Sequence, residues 1–85
     1  MDETSVTEVD VRGLRCPLPA LRTLKALRRA PAGGVLNVLA DDPLARIDVP
    51  NAAREAGAEL LAIRPEGAGL SFLIRSAGPN SDPRA

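Results

Sequence analysis

Cys16 is the only cysteine in a chain of 85 residues, and it stands in RCPLPAL, between Arg15 and Pro17 with a second proline at 19. With no histidine and no second cysteine, the chain lacks the parts for a soft-ligand metal site, an intrachain disulfide or a Cys–His nucleophile pair. What remains is the chemistry of one thiol: exchange at sulfur, or oxidation. An ordinary cysteine, with a pKa of about 8.5, is only about 3% thiolate at neutral pH. Helix N-termini and nearby arginines lower that pKa. Proline is favoured at the first position of a helix. The pattern therefore places Pro17 at that position and Cys16 at the N-cap, with the Leu18 N–H as its main backbone partner, since Pro19 has none to offer. Arg12 and Arg15 are candidate contributors to the field. These features predict an exposed thiol with a lowered pKa. Free cysteine is also often a buried small hydrophobe, and the residues alone leave both readings open.

The elements that must hold this thiol can be read from periodicity. Residues 5 to 11, SVTEVDV, alternate like a strand, and Gly13 breaks it. PLPALRTLKALRRA carries Leu21, Leu24 and Leu27 at helical spacing, with Leu18, Ala20 and Ala26 beside that stripe. VLNVLA, 35 to 40, is apolar enough for an interior strand, and DDP at 41 to 43 is turn chemistry. Asp48 is predicted to cap a second helix through NAAREA, with Val49 and Pro50 in its first turn and Gly57 past its end. AELLAIR and LSFLIR flank the short turn PEGAG, which predicts an antiparallel hairpin. The order β-α-β-α-β-β suits an α+β fold: a two-layer α/β sandwich, with a mixed four-stranded sheet and two helices on one face. The first two strands should be parallel. Residues 5–77 are expected to form one domain, after a flexible stretch 1–4 and before a disordered tail 78–85.

Eleven basic and eleven acidic residues give a net charge of zero. That balance argues against an all-over grip on nucleic acid or on a membrane surface. Six of the basic residues, Arg12, Arg15, Arg22, Lys25, Arg28 and Arg29, lie within eighteen positions that contain no acid. This face is either a solvated helix surface or a docking surface around Cys16 for acidic patches on other proteins, through Arg12, Arg22, Lys25 and Arg29. Direct tRNA binding is the poorer reading, because Phe72 is the only aromatic residue. Asp41 and Asp42 read as turn and capping residues rather than metal ligands. No apolar run is long enough to span a bilayer, and the acidic N-terminus is no secretory signal. A reducing, cytoplasmic setting is expected, where a lone thiol stays free. The chain is expected to work as a monomer and to need no cofactor.

GLRCPLP before a basic amphipathic helix resembles the TusA/SirA-like sulfur-carrier family, whose signature is CPxP at the start of the first helix. VLADDPLARIDVP, 38 to 50, resembles that family's second-strand segment, and FLIR, 72 to 75, its last strand. The resemblance spans roughly residues 8 to 78. It implies the fold given above and a cysteine that carries sulfur as a persulfide. Cys16 would be the acceptor, framed by Pro17 and Pro19, with Gly13 and Arg15 in support. It further implies a donor protein, a PLP-dependent cysteine desulfurase or a rhodanese, and a downstream acceptor protein. The PLP belongs to that partner. Members serve tRNA thiolation, molybdenum-cofactor enzymes or sulfur metabolism. Leu18 stands where members devoted to tRNA thiolation typically carry Glu. Two other readings of the same fold are a non-catalytic binding or regulatory module and a thiol redox sensor.

Overall fold

Alternation between apolar and polar residues starts the chain in β1, Val6–Asp10, which runs parallel to β2, Val35–Ala40. The computed structural model describes residues 6–79; the expectations for residues 1–4 and 80–85 lie outside them. β2 is the most apolar strand because it lies inside the sheet, between β1 and β4, Gly69–Arg75. β4 pairs antiparallel with β2 and with β3, Glu59–Glu66. The sheet order is β1-β2-β4-β3. The connection from β3 to β4 is the expected hairpin, with a register shift between Leu60 and Ala62. Two helices, α1 at Leu18–Arg29 and α2 at Ala45–Glu55, pack side by side on one face of the sheet. The fold is the mixed two-layer α+β sandwich that the pattern predicts. Gly78 is buried, and its N–H donates to Ser76 Oγ.

One apolar cluster joins the two layers. Val38, Phe72 and Ile74 rise from the sheet to meet Leu27 of α1 and Val49 and Ala53 of α2. Each large side chain buried in this way contributes about 1.5–3 kcal/mol. The alanines of α2, Ala45, Ala52 and Ala53, and Ala56 that caps its end are almost wholly buried. Their small size brings that helix close to its neighbours.

Three local expectations are corrected. α1 begins at Leu18, not Pro17: Pro17 is its N-cap, and the Cys16–Pro17 peptide is cis. The Leu18 N–H donates to the Arg15 carbonyl at 2.8 Å, so it is not available to the sulfur. α1 turns Pro19, Thr23 and Leu27 inward, so of the predicted leucine stripe Leu27 is buried, Leu24 half-buried and Leu21 exposed. Thr23 is fully buried because its hydroxyl donates to the Pro19 carbonyl at 2.8 Å, which removes the cost of an unpaired polar group. Leu18 and Leu21 are left 44% and 54% exposed. α2 begins at Ala45, one turn earlier than predicted, so Asp48 lies in its first turn and Pro50 inside it. No helix among the described residues is long and apolar enough to cross a membrane.

Candidate functional site

The segment from β1 to α1 is pinned by two adjacent carboxylates at the end of β2. Gly13, with φ +85°, turns the chain where a side chain would be strained, and its N–H donates to Asp41 Oδ1 at 2.9 Å. The Cys16 N–H donates to Asp42 Oδ2 at 2.5 Å. The other oxygen of Asp42 accepts the Leu44 N–H at 3.2 Å, and its carbonyl accepts the Ala45 N–H at 2.9 Å. Asp42 thus ties the start of α2 to the backbone of the cysteine. Gly69 makes this packing fit: a Cβ there would collide with the Ala40 carbonyl and lie 2.8 Å from Asp41 Cα.

Cys16 is exposed. Its sulfur sits at a groove of about 240 Å³ between the helices, lined by Ala20, Leu21 and Leu24 on α1 and by Asp48, Ala52 and Glu55 on α2. The thiol donates to Asp48 Oδ2 at 2.9 Å. This bond reverses the sign of the expected electrostatics. The hydrogen bond to Asp48 is the main cause that holds the thiol pKa above its ordinary value; some loss of hydration and the charges of Asp48 and Asp42 add to it. A lowered pKa was expected from a helix terminus and two arginines. The chain instead sets the sulfur outside the helix end and beside carboxylates. The bond lasts while the thiol is protonated and is lost as pH rises through that raised pKa.

The other predicted residues fall into two groups. Pro17 lines the groove with Cys16, Pro19 is buried in α1, and Gly13 and Arg15 are exposed in the segment that leads to the cysteine. Of the basic face, Arg12 is drawn away. It forks onto Asp10, at 2.9 and 2.8 Å, and pulls that exposed carboxyl down to about 2. Arg22, Lys25 and Arg29 are exposed along one stripe of α1 that begins at Leu18. Sequence reasoning missed the thiol–Asp48 contact, although it singled out Asp48 as a cap. It also missed the exposure of Leu21, which the leucine spacing had placed on the inward stripe, and of Leu18 beside it; Leu44 and Ile47 are exposed as well.

Comparison with known proteins bears on this geometry directly. Residues 7–76 match the family described as Sulfurtransferase TusA. The chain belongs to the TusA family. It is 41% identical over 70 residues to the sulfur carrier protein TusA of Allochromatium vinosum, a match covering 82% of this chain and 92% of that one. It is 36% identical over 69 residues to a putative sulfur carrier protein of Archaeoglobus fulgidus, covering 80% and 90%. Among solved structures, the SirA-like protein of Desulfitobacterium hafniense superposes with a TM-score of 0.67 at 29% identity, covering 87% of this chain and 99% of that one. The TusA-family match includes both helices and all of the carboxylates that hold Cys16.

Proposed function

We propose that this protein accepts sulfane sulfur on Cys16 as a persulfide and relays it to an acceptor protein. The observation that carries the reading is the exposed, single thiol at the mouth of the groove between the helices, in a chain of the sulfur-carrier family. One thiol suffices, because loading and unloading are exchange reactions at sulfur. A second cysteine would discharge the sulfur by closing a disulfide. The donor is a cysteine desulfurase or a rhodanese, and a reducing cytoplasm keeps the thiol free for it. The acceptor serves tRNA thiolation, molybdenum-cofactor chemistry or sulfur metabolism. Redox sensing is the weaker reading. Sensor cysteines are low-pKa thiols, whereas Asp48 holds this one up.

The test is intact-mass spectrometry after incubation with a cysteine desulfurase, PLP and cysteine, and separately with thiosulfate and a rhodanese. The wild type is expected to gain one sulfur, removable by reductant, and Cys16→Ser none. No adduct from either donor would leave a binding module as the better account.

Partner docking is assigned to the apolar rim beside the thiol, Leu18 and Leu21, together with the basic stripe of Arg22, Lys25 and Arg29. Apolar contacts anchor an interface, while rim charges set its on-rate. The fitting partner presents acidic residues around an apolar contact. Leu21→Glu combined with Lys25→Glu is expected to slow loading from a protein donor by about 10-fold with an unchanged melting temperature, since both side chains are exposed. An unaltered rate would reduce this face to solvation.

A further inference from the structure

The raised thiol poses a problem for a carrier. Sulfur exchange runs through the thiolate, yet the neighbours of Cys16 oppose its formation. The ionisable groups acting on the sulfur are Asp48 on α2 and Asp42 in the turn before it, and Glu55 lines the same groove. On the α1 side the groove presents Ala20, Leu21 and Leu24, which carry no charge. Of the two arginines before the cysteine, Arg12 is held by Asp10 and Arg15 is exposed. The charges that act on the sulfur, those of Asp48 and Asp42, oppose a free thiolate. The arrangement does, however, place a carboxylate oxygen 2.9 Å from the sulfur as the acceptor of its hydrogen bond, within the reach a general base needs.

We propose that Asp48 is a second catalytic residue, the general base that takes the Cys16 proton during sulfur loading and the general acid that returns it. The proposal rests on the persulfide reading above. Cys16 Sγ attacks the terminal sulfur of a donor persulfide, R–S–SH. The bond from Sγ to that sulfur forms as the donor's S–S bond breaks, and the Sγ proton passes to Asp48 Oδ2. The donor departs as a thiolate and takes the proton from Asp48. The products are Cys16–S–SH and R–SH. The moving sulfur stays at the sulfane level, so no oxidant or reductant is consumed. Unloading to an acceptor thiol runs the same step in reverse: the acceptor's proton passes to Asp48 as its sulfur attacks, and Asp48 then protonates the departing Cys16 sulfur. The same carboxylate keeps the resting thiol protonated, so an exposed sulfur is guarded against stray electrophiles and still reacts with a persulfide.

Asp48→Asn separates these two actions. Asparagine keeps the shape and an oxygen that can accept from the thiol, but it cannot take a proton. A small persulfide, cysteine persulfide, is the donor, so that docking plays no part. Loading of the variant is expected to be at least about 10-fold slower than wild type near pH 6–7, with the ratio approaching one as pH passes the thiol pKa and the thiolate forms unaided. Alkylation by iodoacetamide, which uses only preformed thiolate, is expected to become faster in the same variant. Opposite signs for the two reagents support a proton-transfer role. Loading that speeds up in step with alkylation, or a rate ratio that does not change with pH, overturns it and reduces Asp48 to a fixed charge. No sulfur uptake by the wild type overturns the carrier reading, and this proposal with it. Uptake by the wild type with an equally fast Asp48→Asn overturns this proposal alone.

Discussion

Asp42→Asn is expected to lower the melting temperature by on the order of 10 °C and to release the backbone of Cys16. Each oxygen of Asp42 accepts one backbone N–H, from Cys16 and from Leu44, and the residue is only 9% exposed. An amide can satisfy one of these donors but must turn its own NH₂ group toward the other. A hydrogen bond to a charged group is worth about 1.5–3 kcal/mol, and a buried donor left without its acceptor costs a similar amount. In a domain of this size each kcal/mol moves the midpoint by about 4–8 °C. Thermal unfolding followed by circular dichroism reads the loss. Amide exchange at Cys16 and Leu44 should accelerate beyond that of their neighbours, which distinguishes the lost clamp from a general loosening. A melting temperature within about 1 °C of wild type, with Cys16 still protected, would show that the clamp contributes nothing.

That clamp marks the boundary of what the sequence discloses. Asp41 and Asp42 announce a turn through their types and the proline that follows. Their bonds to Gly13 and Cys16 span 28 and 26 positions, and no local pattern encodes a partner that distant. Asp48 is similar. It stands 32 residues from Cys16, and its neighbours Val49 and Pro50 imitate the start of a helix so well that capping is the natural local reading. The helix in fact begins at Ala45 and accepts Pro50 in its interior, although proline has no N–H to donate to the Arg46 carbonyl. The expected sign of the thiol's electrostatics rested on a cap position of α1 that Pro17 takes instead of Cys16. A helix starting at Ala45 carries Asp48 to the sulfur, whereas the arginines near Cys16 in sequence are spent elsewhere or point to solvent.

The sheet was more legible, because its signals are short-ranged. Alternation in β1, the apolar run of β2 and the glycine turn between β3 and β4 each specify an element within a few residues. Helix α1 shows where periodicity misleads. Leu21, Leu24 and Leu27 form a plausible inward stripe, but only Leu27 is fully buried, Leu24 is half-buried and Leu21 is exposed. The buried face is then Pro19, Thr23 and Leu27. A threonine that bonds back to a carbonyl one turn earlier passes as a core residue. Leu21, released from the core, lines the groove at the thiol instead, which suits a surface that must meet other proteins.

Phe72→Ala is expected to cost about 3–5 kcal/mol, the range for emptying a buried aromatic position. Phe72 is fully buried in the middle of β4, paired across the sheet with Val38 on β2 and Ile63 on β3. It is also the largest side chain in a core otherwise built from alanine, valine, leucine and isoleucine. The small residues around it have little freedom to close the space it leaves. At roughly 0.05–0.15 kcal/mol per residue, a domain of 85 residues has about 4–13 kcal/mol in total, so one truncation removes a large share. Urea denaturation reads this as a lower midpoint at an unchanged slope. Phe72→Leu, which keeps most of the volume, should cost less than half as much. A loss below about 1 kcal/mol for the alanine variant would contradict the packing. The effect reaches function because the site is assembled from separate elements: Cys16 enters from the β1 side, Asp42 from the end of β2 and Asp48 from α2. The shared core holds them in register, so sulfur loading should fail at the temperature at which the variant melts, while Cys16 and both carboxylates remain chemically intact.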